Sequence, residues 1–242
     1  MGKIVDFSGV KVDNVTLTEA AEIVRHYVIE GKARIVVTPN PEMIVAAQAD
    51  SELKDIINKA DLRVADGISM VVVSRILGKP LKERVSGIDL ALKLMEIGSD
   101  YKYRVFLLGG APGVAEEAGR RLKKQFPGIE IIGAYHGYFN AGDESSVIKK
   151  ISDSNPDILF VGLGAGRQEK WLNHHLYELG ATVGMTIGGS LDVLSGRKQR
   201  APRWIQALYI EWLYRLLAEP QRWERQLALP KFLYLTLIKK VL

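Results

Sequence analysis

Four runs in the sequence place reactive or anion-cradling residues directly after strand-like apolar segments. In Thr38-Pro-Asn-Pro-Glu42, after Arg34-Ile-Val-Val, Thr38 offers a hydroxyl and Asn40 an amide, groups suited to a sugar. The same run also reads as a Pro-rich turn with Asn as a local cap. In Ala65-Asp66-Gly67, after Leu62-Arg-Val, Asp66 has the chemistry of a general base toward an attacking hydroxyl. Asp-Gly is also a common turn and helix N-cap, the favoured reading of this run taken alone. Gly109-Gly-Ala-Pro-Gly113 lies between a strand and a helix, where small residues let backbone N–H groups approach a phosphate. Gly162-Leu-Gly-Ala-Gly-Arg-Gln-Glu169 superficially follows a dinucleotide fingerprint, but its third glycine position is Arg167. No acidic residue follows at about 20 residues, which argues against an oxidoreductase. Gln168 and Glu169 open a helix there, placed to contact a sugar or a base.

These runs need a scaffold that brings strand ends together. The body alternates apolar runs with helical patterns, the mark of an α/β fold: a Rossmann-like, mostly parallel sheet with helices on both faces. Expected strands are Ala33–Thr38, Leu62–Ala65, Arg104–Leu108, Ile129–Ile132, Ile158–Val161 and Thr182–Ile187. Expected helices are Thr18–Glu30, Glu42–Gln48, Gly87–Ile97, Val114–Gln125, Ser145–Ser152 and Gln168–Leu179. The N-terminal residues read as strand, turn, strand, a small β-hairpin, and lack the apolar run of a signal peptide. In open α/β sheets ligands gather outside the carboxyl ends of the strands, which is where all four runs fall.

Composition narrows the chemistry. The 242 residues contain no cysteine, which removes thiolate catalysis, disulfides and Cys-based zinc sites. His26, His136, His174 and His175 show no metal-ligand spacing; adjacent residues on a helix diverge by about 100°. Asp50-Ser-Glu52 and Asp153-Ser-Asn155, the nearest approaches to an acidic metal-ligand pair, read as helix boundaries. No metal and no cofactor is expected. No run of about 18 apolar residues occurs, so no membrane-spanning helix is expected, and the chain is placed in the cytoplasm.

The charge is uneven. Residues 197–242 carry ten Lys/Arg against three Glu, a net of +7, so residues 1–196 carry −2 of the total of +5. Three of the four tryptophans (Trp204, Trp212, Trp223) also lie there. Apolar residues from Trp204 to Leu217 recur at helical spacing, and Pro220 and Pro230 break the remainder of the tail into short pieces. The expected division is a catalytic body, 1–196, and a helical C-terminal appendage, 197–242. Basic and aromatic residues together suit an anionic membrane surface. A packed helix or a homo-oligomer contact is the other reading of Trp204–Leu217. Nucleic acid is not expected, because the cations alternate with leucines.

Taken together, Thr38-Pro-Asn-Pro-Glu-Met, Ala60-Asp-Leu-Arg-Val-Ala-Asp-Gly67, Arg84-Val-Ser-Gly-Ile-Asp89, Leu107-Leu-Gly-Gly and Gly137-Tyr-Phe resemble the TagA/WecG/CpsF family of bacterial glycosyltransferases. Gly162-Leu-Gly, Arg167-Gln-Glu-Lys-Trp171, Gly188-Gly-Ser-Leu-Asp-Val-Leu-Ser-Gly196 and Glu211-Trp-Leu-Tyr-Arg-Leu continue the match in order. Gly166 stands where the family usually has Pro before the Arg-Gln-Glu run. The resemblance implies an inverting, metal-independent enzyme of teichoic acid and cell-wall polymer synthesis. It would move N-acetylmannosamine, or its uronate, from a UDP-sugar to the 4-hydroxyl of N-acetylglucosamine on an undecaprenyl-diphosphate carrier, at the inner face of the membrane. It implies Asp66 as base, Thr38 and Asn40 at the sugar, and Arg84, Gln168, Arg215, Arg222 and Arg225 toward the diphosphates. Gly109, Gly110, Gly137, Tyr138, Glu169 and Asp192 complete the expected substrate-binding set. The tail arginines are expected to complete the site when the tail docks over the body. A non-catalytic nucleotide-binding module with a membrane-recruiting tail is the reading of a different class.

Overall fold

A computed structural model describes residues 3–207, 211–218, 223 and 227–238. Strands β1 (Ile4–Phe7) and β2 (Val10–Asp13) form an antiparallel hairpin. The remaining strands are β3 (Arg34–Val37), β4 (Leu62–Arg63), β5 (Arg104–Gly109), β6 (Glu130–Tyr135), β7 (Ile158–Gly162) and β8 (Val183–Thr186). They form one parallel sheet in the order β4-β3-β8-β7-β5-β6.

Both faces of this sheet are buried, as expected of a parallel one. Along β5, Val105 and Leu107 enter one apolar core while Phe106 and Leu108 enter the other. The first core is covered by α1 (Leu17–Glu30), α5 (Gly87–Tyr101), α6 (Val114–Gln125) and α9 (Ser190–Leu194). The second is covered by the hairpin and by α2 (Pro41–Ala49), α3 (Ser51–Lys59), α4 (Ile68–Ile76), α7 (Ala141–Ser154) and α8 (Arg167–His175).

All six expected sheet strands are present, with ends shifted by a few residues. The helices differ more. Helix α3 is absent from the expected set because Asp50 both closes α2 and caps α3, its carboxylate accepting from the Leu53 N–H, so no linker separates them. Helix α4 is absent from it because that helix starts at Gly67 without a side-chain cap. Helix α7 begins earlier than expected, at a capping box of Asn140 with Asp143, and α8 stops at His175 rather than Leu179.

The hairpin is joined to the sheet by a buried ion pair. Arg63 on β4 donates from Nη2 and Nε to Asp13, at 2.9 and 3.0 Å, and from Nη1 to the Asn58 carbonyl. Both side chains are almost wholly buried.

Among the described residues after 197 lie α10 (Arg203–Ala207), α11 (Glu211–Ala218) and α12 (Ala228–Leu233), the last running into a π-helical turn, Tyr234–Ile238. Helix α12 packs on α2, and Phe232 is fully buried with its ring 5.9 Å from that of Phe7. Leu227, Leu233, Tyr234 and Ile238 on this segment stay exposed, as do Trp204, Trp212, Leu217 and Trp223. No helix among the described residues is long and apolar enough to cross a membrane.

Replacing Asp13 by Ala leaves the Arg63 guanidinium buried without its counter-charge. The expected loss is about 3–5 kcal/mol of stability, read as a lower urea midpoint.

Candidate active site

Neighbouring strands of the sheet send their chains to opposite faces at β3/β8, β8/β7, β7/β5 and β5/β6, and two of these places carry the expected site residues. After β5 the chain enters α6 on one face, while after β7 it enters α8 on the other. The same divergence separates β3, followed by α2, from β8, followed by α9. Such divergence opens a crevice above the strand ends, the usual ligand position in this architecture.

At the first divergence Gly109 sits at φ 141°, and a Cβ there would lie 2.4 Å from the Gly162 carbonyl oxygen. Only glycine permits that backbone contact. Gly110 donates its N–H to Gly162 O at 3.3 Å, and Gly137 donates to Gly110 O at 2.8 Å. Gly109, Gly110 and Gly137 thus form one closely packed turn at the head of α6. Tyr138 beside them is 75% exposed, its ring available to a ligand.

At the second divergence the Thr38 hydroxyl donates to the Thr186 carbonyl, linking the ends of β3 and β8. Asn40 caps α2 through Oδ1, which accepts from Met43 N–H at 2.9 Å. The local-cap reading is therefore correct, and the amide nitrogen is the part of Asn40 that can serve a ligand. The Asp66 N–H donates to Pro39 O, and the Val85 N–H donates to Ala65 O, both at 2.9 Å. These two bonds bring the Thr38–Asn40, Asp66 and Arg84 segments side by side. The Arg84 guanidinium lies 3.3 Å from Asp89 and 3.4 Å from Glu211.

Gln168 and Glu169 sit behind this edge rather than on it. Both are buried, and both are committed to the loops: Gln168 accepts from the Gly188 N–H and donates to Glu169, which also accepts from the Gly166 N–H at 2.7 Å. They tie the loop after β7 to the loop after β8. Burial pushes the Glu169 carboxyl above its ordinary value, although the N–H donors and the neighbouring Thr186 side chain pull the other way. Asp192, on α9, holds the following turn through its carbonyl, which accepts from the Lys198 N–H. The side chain of Arg215 and all of Arg222 and Arg225 lie outside the described residues.

Three residues with roles here are not among those expected from the sequence. Arg167 reaches the carbonyls of Gly137 and Phe139, at 3.5 and 3.4 Å, with its guanidinium over the Phe139 ring. It clamps the Tyr138 loop to α8, and only its place in the Arg-Gln-Glu run hints at it. Arg200 and Glu211 join Arg84 and Asp89; nothing in the local sequence marks Arg200, and only its place at the head of the Glu-Trp-Leu-Tyr-Arg-Leu run hints at Glu211. A separate cleft of about 860 Å³ lies on the flank between α5, α6 and α9, edged by Arg120, Arg121, Lys124 and Arg200. It shares only Arg200 with the groups at the strand ends. No three His, Asp or Glu converge as cation ligands among the described residues.

A parallel α/β sheet that gathers a glycine turn, a hydroxyl, an amide and a carboxylate segment at its carboxyl edge suits a nucleotide-sugar transferase. The chain belongs to the glycosyl transferase WecG/TagA/CpsF family, whose sequence model matches residues 5–242. It is 38% identical over 221 residues to an N-acetylglucosaminyldiphosphoundecaprenol N-acetyl-beta-D-mannosaminyltransferase of Bacillus spizizenii, covering 91% of this chain and 85% of that protein. Proteins of the same name from Bacillus subtilis and Staphylococcus aureus are 35% and 37% identical, covering 89% and 95% of this chain and 83% and 91% of theirs.

The raised Glu169 value carries a signed consequence. Above the ordinary carboxyl value of 4.5 the unfolded chain ionises while the folded chain keeps its proton, so stability is lost as pH rises toward the folded value. Relative to Glu169→Gln, the wild type should therefore lose stability with rising pH, by at most about 1.4 kcal/mol per unit. Urea unfolding of both proteins across a pH series measures it, and a constant difference would show an unperturbed carboxyl.

Proposed function

We propose that this protein is an inverting transferase that moves N-acetylmannosamine from UDP-N-acetylmannosamine to the 4-hydroxyl of N-acetylglucosamine on undecaprenyl diphosphate. The product is a linkage unit for teichoic acid. The observation that carries the reading is the convergence of Thr38, Asn40, Asp66 and Arg84 at one edge of the sheet, in a chain of this family.

In a single displacement the acceptor 4-oxygen attacks C1 of the donor sugar from the face opposite UDP. The Asp66 carboxylate takes the hydroxyl proton as the new C1–O bond forms. The C1–O bond to UDP breaks, and the electron pair leaves on the diphosphate. Thr38 and the Asn40 amide hold the sugar. The Gly109-Gly110 turn, free of side chains, lets the diphosphate approach the start of α6, where the helix favours negative charge. Arg84, with Arg215, Arg222 and Arg225 of the docked tail, adds fixed positive charge where the leaving group develops its own. Tyr138 and Asp192 serve the nucleotide, while Gln168 and Glu169 set the loops around it.

The tail then has two duties. Its exposed aromatic and leucine side chains, with a net charge of +7 over 197–242, suit the anionic surface that carries the acceptor. Its arginines complete the site of the 1–196 body, at the inner face of the membrane, so that turnover follows arrival at the lipid.

Asp66→Asn should lower turnover by about 10²–10⁴-fold while UDP binding persists, since only the proton acceptor is removed. A mutant with full rate would make Asp66 a turn residue only. UDP release from a panel of UDP-sugars, with and without lipid-linked N-acetylglucosamine and with EDTA present, tests the reaction itself. Release that requires the acceptor, selects the N-acetylmannosamine donor and survives EDTA is the expected result.

A further inference from the structure

The tail meets the body through a compact set of charges. Glu211, the first residue of α11, is only 6% exposed. Its Oε2 lies 3.4 Å from Arg84 Nη1 and its Oε1 lies 3.6 Å from Arg200 Nε. Asp89, in the first turn of α5, faces the same two guanidiniums, 3.3 Å from Arg84 and 2.7 Å from Arg200. Ser86, which caps α5, donates its hydroxyl to Asp89 and so fixes the inner side of the set. Two arginines and two carboxylates alternate, and none of the four side chains is more than 26% exposed.

A carboxylate this deeply buried is held only where cations compensate for its lost hydration. Apolar helix faces, by contrast, slide and rotate over one another at little cost. A single buried charge therefore fixes register in a way that leucines do not. In α11 the neighbours Trp212, Leu213 and Leu217 are exposed, so among the described side chains of this helix Glu211 is the one that turns inward most completely. The Arg200 Nε–H is buried without a hydrogen-bond partner, and Glu211 Oε1 stands just beyond bonding distance. A closure of a few tenths of an ångström would complete the contact.

We propose that Glu211 is the positioning residue that registers the tail on the catalytic body, and that it aims Arg84 and Arg200 at the reaction edge. It touches no reacting atom. It sets the rotation of α11 about its own axis, because a buried charge at the first residue of the helix has one direction in which its partners lie. Arg84 lies one residue before the Val85 N–H that bonds to Ala65, next to Asp66, so the Arg84 segment and the segment of the base are held side by side. The inference rests on the transferase reading for its kinetic readout but not for its structural one.

The test uses full-length protein carrying Glu211→Gln, Arg200→Gln or both. Amide hydrogen exchange of α11 reports docking without any chemistry. UDP affinity reports the body, and UDP release reports turnover. Glu211→Gln should speed α11 exchange and lower kcat/KM for the lipid-linked acceptor by about tenfold to a hundredfold, the effect of removing one partner of a buried charge pair. UDP affinity should fall by less than this, because the glycine turn at the head of α6 is untouched. The double variant should lose less than the sum of the two single losses, because both disrupt the Glu211–Arg200 contact, and Glu211→Asp should restore part of the loss. Exchange and turnover equal to wild type in Glu211→Gln would overturn the proposal. So would a matching loss of UDP affinity, which would mean that Glu211 supports the body's fold. If the wild type releases no UDP, the transferase reading fails, while the exchange data still decide the role of Glu211.

Discussion

A parallel sheet buried on both faces leaves its polar chemistry one place to go, the rim where strands end. Every strand of the sheet here points the same way, so its carboxyl ends open on a single edge. The close passage of Gly109 over the Gly162 carbonyl sharpens that edge, because β5 and β7 part there with no side chain between them. The glycine cradle, the Thr38–Thr186 link and the Asp66 segment all depend on that geometry. With side chains at those glycines the strands would spread and the crevice would change shape.

Each piece added to the sheet is attached by a buried polar contact as well as by apolar packing. The hairpin is held by Asp13 and Arg63, the β7 and β8 loops by Gln168 and Glu169, and the tail by Glu211. Such contacts contribute little net stability, because burying the charges costs about as much as pairing them returns. What they contribute is position. Hydrophobic contact alone holds a helix near a surface, while a charge that must meet its partner holds it in one register. In a transferase that keeps nucleotide, sugar and lipid-linked acceptor in line, small displacements are costly.

Much of this is legible in local pattern. Val114–Gln125 can be read to the residue, because glycine precedes the helix and a Pro-Gly pair follows it. The six strands are readable as apolar runs bounded by turn residues. Asp50 reads correctly as a boundary, yet a boundary between two helices looks like the end of one, and α3 is hidden for that reason. Arg167 stands within the Arg-Gln-Glu run without an evident role, since its partners are backbone carbonyls 30 and 28 positions away. Gln168 and Glu169 are expected from the sequence to face a ligand, but residues that open a helix in the first turn after a strand can turn either outward or under the loop. Their burial decides the matter.

The amino-acid sequence by itself determined the helix caps, the two-faced strands, the glycine turns and the basic, aromatic tail, because each arises from neighbours along the chain. Only the tertiary structure decided which side chains meet. Arg84 and Glu211 lie 127 positions apart, and their pairing follows from where α5 and α11 come to rest. Neither residue's own neighbourhood encodes the other. A charge finds its partner by the packing of the elements between, and that packing belongs to the whole fold.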